Sequence, residues 1–151
     1  MSPGPTTTFS AGDSPGLALW RATLAWQRRV RAALEPLGLT HVQFVLLTVA
    51  WWHEEHGDGA ATQTVVATTA GTDPMMTSQV LRRLEADGLV RREPHPDDAR
   101  ARCVGLTDEG RARLAAALPA VEAVDAEVFG RIPARERDAF VRRLVTLAAE
   151  E

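Results

Sequence analysis

"DPMMTSQVLRRLEADGLVRREPHPDDARARCVGLTDEGR", residues 73–111, joins one clean helical pattern to two short strand-like runs. Thr72 or Asp73 can cap the helix, Pro74 suits its first turn, and Gly88 supplies its stop. On a wheel of about 100° per residue, Thr77, Val80, Leu81 and Leu84 fall on one side. That side should pack into a core, and Met76, at its boundary, is assigned to the core as well. Met75, Ser78, Gln79, Arg82 and Arg83 fall on the opposite side. An exposed Met early in a helix has no stability rationale. Gln can bond an adenine edge, Arg a guanine edge or a phosphate, and Met can touch a thymine methyl. A merely solvated face is the competing reading, and the wheel alone does not separate the two. Beyond Gly88, "LVRREP" and "ARCVGLT" read as two strands around an "HPDDAR" turn.

Working outward, "TQTVVATTAG" at 62–71 reads as a short helix with Thr62 as cap and Gly71 as stop. Its β-branched residues make it intrinsically weak, so it needs tertiary packing. Its start, at Thr62, Gln63 and Thr64, offers backbone N–H groups and short polar side chains that suit a phosphate, although capping alone explains Thr62. Before it, "HVQFVLLTVAWWHEEHG" follows Thr40 and is apolar nearly all round, as a central buried helix is. Leu17, Trp20, Leu24, Val30 and Leu34 keep helical spacing until Pro36 and Gly38. Residues 1–16 hold three prolines and three glycines and read as a disordered or loosely docked arm. Downstream, Thr107 can cap a long helix carrying Leu114, Leu118, Val121, Val124 and Val128, bent at Pro119. Pro133 opens a last helix with Phe140, Leu144 and Leu147 on one face. The fold expected is mainly α with a small β-hairpin wing: a winged helix-turn-helix flanked by terminal helices.

Composition bounds the function. The chain has 151 residues, 45% of them hydrophobic, enough for one domain or two small lobes with a real core. Its net charge of −3 argues against a uniformly basic surface, but a basic face can sit on an acidic body. Every one of the 17 Lys or Arg residues is Arg, as GC-rich codon usage would give. Cys103 is the single cysteine, which rules out an internal disulfide and a Cys metal cluster and fits a reducing cytoplasm. No apolar run is long enough for a membrane span, and the N-terminus does not read as a secretory signal. His53 and His56 stand three apart on one helix, but one helix supplies no complete ligand set, so no metal is expected. No nucleophile–base set and no Gly-rich phosphate loop is visible, which disfavours an enzyme and predicts no cofactor.

The stretch at 73–111 resembles the MarR (multiple antibiotic resistance regulator) family of bacterial transcription factors. The resemblance is carried by "LRRLEADGLVRR", by Asp98-x-Arg100 and by "LTDEG" at 106–110. It extends over about residues 17–150 and is strongest from Thr62 to Arg111. It implies a homodimer on double-stranded DNA, with residues 17–38 and 107–151 as the helical dimerisation region and 39–106 as the DNA-binding region. The helix at 73–87 would enter the major groove, where Met75, Ser78, Gln79 and Arg82 approach bases. Arg100 would reach the minor groove, braced by Asp98, while Thr62, Thr64, Arg83 and Arg102 hold the backbone. Relatives often take small aromatic effectors, which makes Trp20, Trp51, Trp52 and His53 candidates for a ligand cleft; filling of core and interface is the favoured reading of the tryptophans. Redox-sensing relatives carry a Cys in the first helix; here there is none, and Cys103 is read as a packing residue. The function implied is a ligand-responsive regulator, a repressor, on a pseudo-palindromic operator. The alternative is a winged-helix protein–protein adapter, for which the wing face should be acidic or apolar; Asp97 and Asp98 leave that open.

Overall fold

The computed structural model describes residues 12–57 and 59–149, together with Gly4 and Ser10. The expected N-terminal arm therefore lies mostly outside the described residues. Where it is described, helix α1 begins at Pro15, two residues before the expected start at Leu17, because Ser14 accepts the Leu17 N–H at 3.2 Å and Pro15 occupies the first turn. α1 runs Pro15–Leu34 and passes through a short 3₁₀ turn, Glu35–Leu37, into Gly38 at φ 66. Then follow α2 (His41–His56), a two-residue strand β1 (Ala61–Thr62), α3 (Gln63–Ala70) and α4 (Pro74–Ala86). The hairpin is β2 (Val90–His95) and β3 (Asp98–Leu106), and α5 (Asp108–Phe129) and α6 (Ala134–Ala148) complete the order.

α2 is the central helix the sequence predicts. A full capping box at Thr40 and Gln43 fixes its start, and Phe44, Leu46, Leu47 and Ala50 are buried. Around it Val30, Leu34, Val66, Leu81, Leu84, Val90, Val104, Leu106 and Leu114 form one contiguous core. α3 is short and rich in β-branched residues, and Val66 and Ala67, both buried, hold it in place. Gly71 at φ 65 makes the turn into α4, a left-handed conformation that a side chain would strain. α5 runs unbroken through Pro119.

The sheet has the order β1-β3-β2, all antiparallel. β1 was not predicted: Ala61 pairs with Val104 and Thr62 with Cys103, and two residues carry no periodicity to read. β3 is longer than the sequence suggested, so the turn shrinks to Pro96–Asp97 and Arg100 sits inside a strand rather than at the tip. A register irregularity at Pro94/His95 marks where the hairpin twists away. Pro133 caps α6 rather than starting it, and no residue of α6 is buried. No single described helix is long and apolar enough to cross a membrane.

A candidate nucleic-acid interface

α4 is held by its apolar side and offers its polar side. Thr77, Leu81 and Leu84 are buried, and the Thr77 hydroxyl is satisfied by the Asp73 carbonyl at 2.8 Å and by Thr72 Oγ1 at 2.7 Å. Burying the two leucines contributes about 1.5–3 kcal/mol each, which fixes the helix's rotation. Met75, Gln79, Arg82 and Arg83 are exposed, and Ser78 is half-buried at the edge. Met75 is 73% exposed, so no neighbour hides it. Met76 is 38% exposed, against its assignment to the core: it lies in the first turn, where the helix has not yet reached the hydrophobic layer. Arg83 is tied along its own helix to Asp87 at 3.1 Å, so a backbone contact by it would compete with that exposed pair.

The wing carries Arg100 and Arg102 at alternate positions of β3, both exposed. Asp98 braces this strand differently from expectation. Its carboxylate accepts the backbone N–H of Arg100 at 3.0 Å, and no Asp98–Arg100 ion pair forms among the described residues. It fixes the chain direction and leaves the guanidinium free to move. Thr62 accepts the Val65 N–H and so caps α3, while Thr64 is exposed on its first turn.

Sequence reasoning passed over three polar nodes beneath this surface. Arg92 reaches the Glu85 carboxylate through Nε at 2.9 Å and through its terminal nitrogen at 2.7 Å, and donates to Gln63 Oε1 at 3.1 Å. This arginine holds the Glu85 carboxyl below the usual carboxylate range, chiefly by hydrogen bonding. Arg91 lies 3.7 Å from Glu93 and also donates to the Leu106 carbonyl at 2.8 Å. Glu54, with only 9% of its side chain exposed, accepts the Leu106 N–H at 3.1 Å and pairs with Arg111, joining α2 to the base of the wing and to α5. The signal for these was charge on strands and helix ends that also face the core, which no single-element wheel can show.

The residues proposed for an effector cleft are not gathered into one. Trp20 and Trp52 are 63% and 49% exposed, and Trp52 stacks on His56 at 5.2 Å rather than against Trp20. Trp51 packs against the core, and His53 contacts Thr69 at 3.1 Å. A cleft of about 390 Å³ instead opens where α1, α2 and the α3–α4 turn meet, lined by Gln27, Arg31, His41, Val42, Val45, Ala70 and Thr72. The tryptophan beside it is Trp26. Its N–H donates to Asp125 at 2.7 Å and its ring meets His41 edge-on at 5.0 Å. Burial, opposed by Asp125 and assisted by Arg31, lowers the His41 pKa below its ordinary value. No group of three or more His, Cys, Asp or Glu residues placed to hold a metal occurs among the described residues.

The model of the MarR family matches residues 39–101, which cover α2 through the first part of β3. The HTH-type transcriptional regulator YdcH of Bacillus subtilis is 41% identical over 138 residues, spanning 91% of this chain and 92% of that protein. This chain belongs to the MarR family. Another MarR relative, the HTH-type transcriptional repressor Rv2887 of Mycobacterium tuberculosis, is 35% identical over 141 residues, 93% of this chain and 98% of its own. Solved structures of that protein include complexes with DNA and with salicylic acid. The repressor CouR, bound to a 23-mer DNA duplex, superposes with a TM-score of 0.80 at 30% identity, over 97% of this chain and 100% of that one. CouR from Rhodococcus jostii RHA1 has also been solved with p-coumaroyl-CoA. The chain is thus a MarR family transcriptional regulator by descent, and the family's members are regulators rather than enzymes.

Proposed function

We propose that the protein is a homodimeric, ligand-responsive repressor that acts in the cytoplasm on a pseudo-palindromic operator. The observation that carries this reading is the outward face of α4: Met75, Gln79 and Arg82 are exposed on a helix whose other side is locked into the core. That face is inserted in the major groove, with Ser78 at its margin. Arg100 enters the minor groove, where narrow width concentrates negative potential. Arg102, Arg83, Thr62 and Thr64 lie against the backbone, and Asp98 sets the direction of the strand that presents Arg100. Residues 17–38 and 107–151 form the pairing region and 39–106 the reading region. Half-sites about one helical turn apart follow from two-fold symmetry. A wing that bears arginines, rather than acidic or apolar side chains, favours DNA over a protein partner.

The effector belongs in the cleft between α1, α2 and the α3–α4 turn rather than beside Trp20, Trp51, Trp52 and His53. Arg31, Gln27 and Thr72 offer a charge and hydrogen bonds to a small aromatic acid, and Val42, Val45 and Ala70 an apolar wall. The complex of Rv2887 with salicylic acid supports a ligand of that kind, and that of CouR with p-coumaroyl-CoA supports an aromatic group in the ligand. Because the cleft touches both the dimer helices and the turn that leads into α4, a bound effector favours one spacing of the two reading helices.

A gel-shift of the purified protein on the DNA upstream of its own gene tests the reading. A discrete complex that survives excess unrelated DNA is expected, and it should be released by salicylate or a related aromatic acid. Failure to bind that DNA, and failure to enrich any sequence from a random duplex pool, would overturn the assignment.

A further inference from the structure

Arg92 sits at the crossing of three elements. It projects from the middle of β2, with 19% of its side chain exposed, to the last turn of α4 and the first residue of α3. Glu85 occupies two of its guanidinium nitrogens, and also accepts the Arg92 backbone N–H at 3.3 Å. The remaining terminal nitrogen donates to Gln63 at 3.1 Å. A guanidinium has only donors, so the atom of the Gln63 carboxamide that faces it must be the oxygen. The carboxamide nitrogen, with its two N–H groups, is thereby turned away from Arg92. Among the described residues that nitrogen has no hydrogen-bond partner, and the exposed Thr64 follows it on the same turn of α3.

An amide restricted in this way is pre-set as a donor. A free Gln on a surface turn presents its oxygen as readily as its nitrogen, and an oxygen would repel a phosphate. The charge of Arg92 itself is neutralised locally by Glu85, so Arg92 is poorly placed to add a phosphate contact of its own. We propose that Arg92 is a positioning residue for DNA binding, which locks the Gln63 carboxamide with its N–H groups outward to donate to a backbone phosphate of the duplex. This rests on the DNA-binding reading above. Its ion pair with Glu85 at the same time ties the end of α4 to the wing, so that the phosphate donor, the reading helix and Arg100 share one frame.

The test uses the full-length protein and a fluorescein-labelled duplex that the wild-type protein selects from a random pool, followed by anisotropy at several salt concentrations. Gln63→Ala should weaken binding about five- to tenfold and leave the dependence on salt unchanged, because a neutral donor displaces no counterion. Arg92→Lys keeps an ion pair with Glu85 but cannot fork to both partners, so it should lose as much affinity as Gln63→Ala while melting near the wild-type temperature. The double variant should be no worse than either single one, the signature of coupled residues. Wild-type affinity for Gln63→Ala, or additive losses in the double variant, would overturn the proposal while leaving the regulator reading intact. Wild-type affinity in Arg92→Lys would also overturn it, since a side chain that keeps the charge but cannot fork to Gln63 would then serve as well. If the wild-type protein selects no duplex, both readings fall together.

Discussion

Arg100 is an arginine with no structural employment. Among the described residues its guanidinium makes no ion pair, and the nearby carboxylate of Asp98 is turned to its backbone N–H. Arg100→Ala should therefore cost about 1–3 kcal/mol of operator affinity and make the salt dependence shallower by about one unit. Thermal stability should change little; a large drop in melting temperature with normal binding would contradict the role given to the wing. His41 makes the opposite kind of prediction. Its pKa is lowered mainly by burial, and the groups that face it are Asp125, Arg31 and Trp26. The neutral ring is the form the fold prefers, so this contribution is complete above the ordinary histidine pKa and fades as pH falls through the lower folded value. Melting temperature should thus decline as pH falls below the ordinary histidine value, ahead of the acid loss caused by Glu85, and His41→Gln should flatten that decline. An unchanged slope in the variant would show that other groups set it.

At the scale of elements, what was legible in the sequence was whatever one helix or strand displays by itself. The buried side of α4 could be read from spacing, and the caps Thr40, Thr62 and Thr107 from residue type, because both are local. What binds elements together was not legible. "LTDEG" matched as a motif, but its reason appears only in three dimensions. The Thr107 hydroxyl donates to the Gly88 carbonyl at 2.6 Å, and a Cβ on Gly110 would lie 1.9 Å from the Leu89 carbonyl oxygen. Gly110→Ala should accordingly push α5 off the link between α4 and β2 and lower stability by about 1–3 kcal/mol, on the scale of an overpacked core; a wild-type denaturation midpoint would show that the backbones yield freely. Glu54 stands near the end of its helix, yet it serves the Leu106 N–H and Arg111 across more than fifty residues of sequence. Glu54→Ala leaves that N–H and the arginine without their acceptor and should cost about 1–3 kcal/mol in urea unfolding. The surroundings of the tryptophans were not legible for the same reason: helical spacing tells which side of a helix a ring takes, not which other helix stands across from it.

The whole molecule is unfinished as a single chain. α6 buries none of its residues, and Val141, Val145 and Leu147 are 56%, 64% and 74% exposed, with Leu17, Leu19 and Trp20 bare on α1. Phe140 and Leu144 of α6 only partly close an apolar crevice of about 240 Å³ with Leu19, Trp26 and Phe129. An amphipathic helix with its apolar side in water needs a second surface, and a two-fold partner would bring the same two helices to it. That partner also makes the operator reading possible, because one α4 reads only one half-site. Val145→Glu separates pairing from folding. The position is already open to solvent in the single chain, so the charge should not disturb the fold within it, whereas at a dimer seam it would be buried without a partner. The variant should elute as a folded monomer with a wild-type circular dichroism spectrum, and its operator affinity should fall by about a hundredfold or more, as expected when two half-sites no longer act through one linked pair of readers. A dimer of wild-type strength would place the pairing surface elsewhere; a monomer that still binds with full affinity would mean that one winged helix suffices.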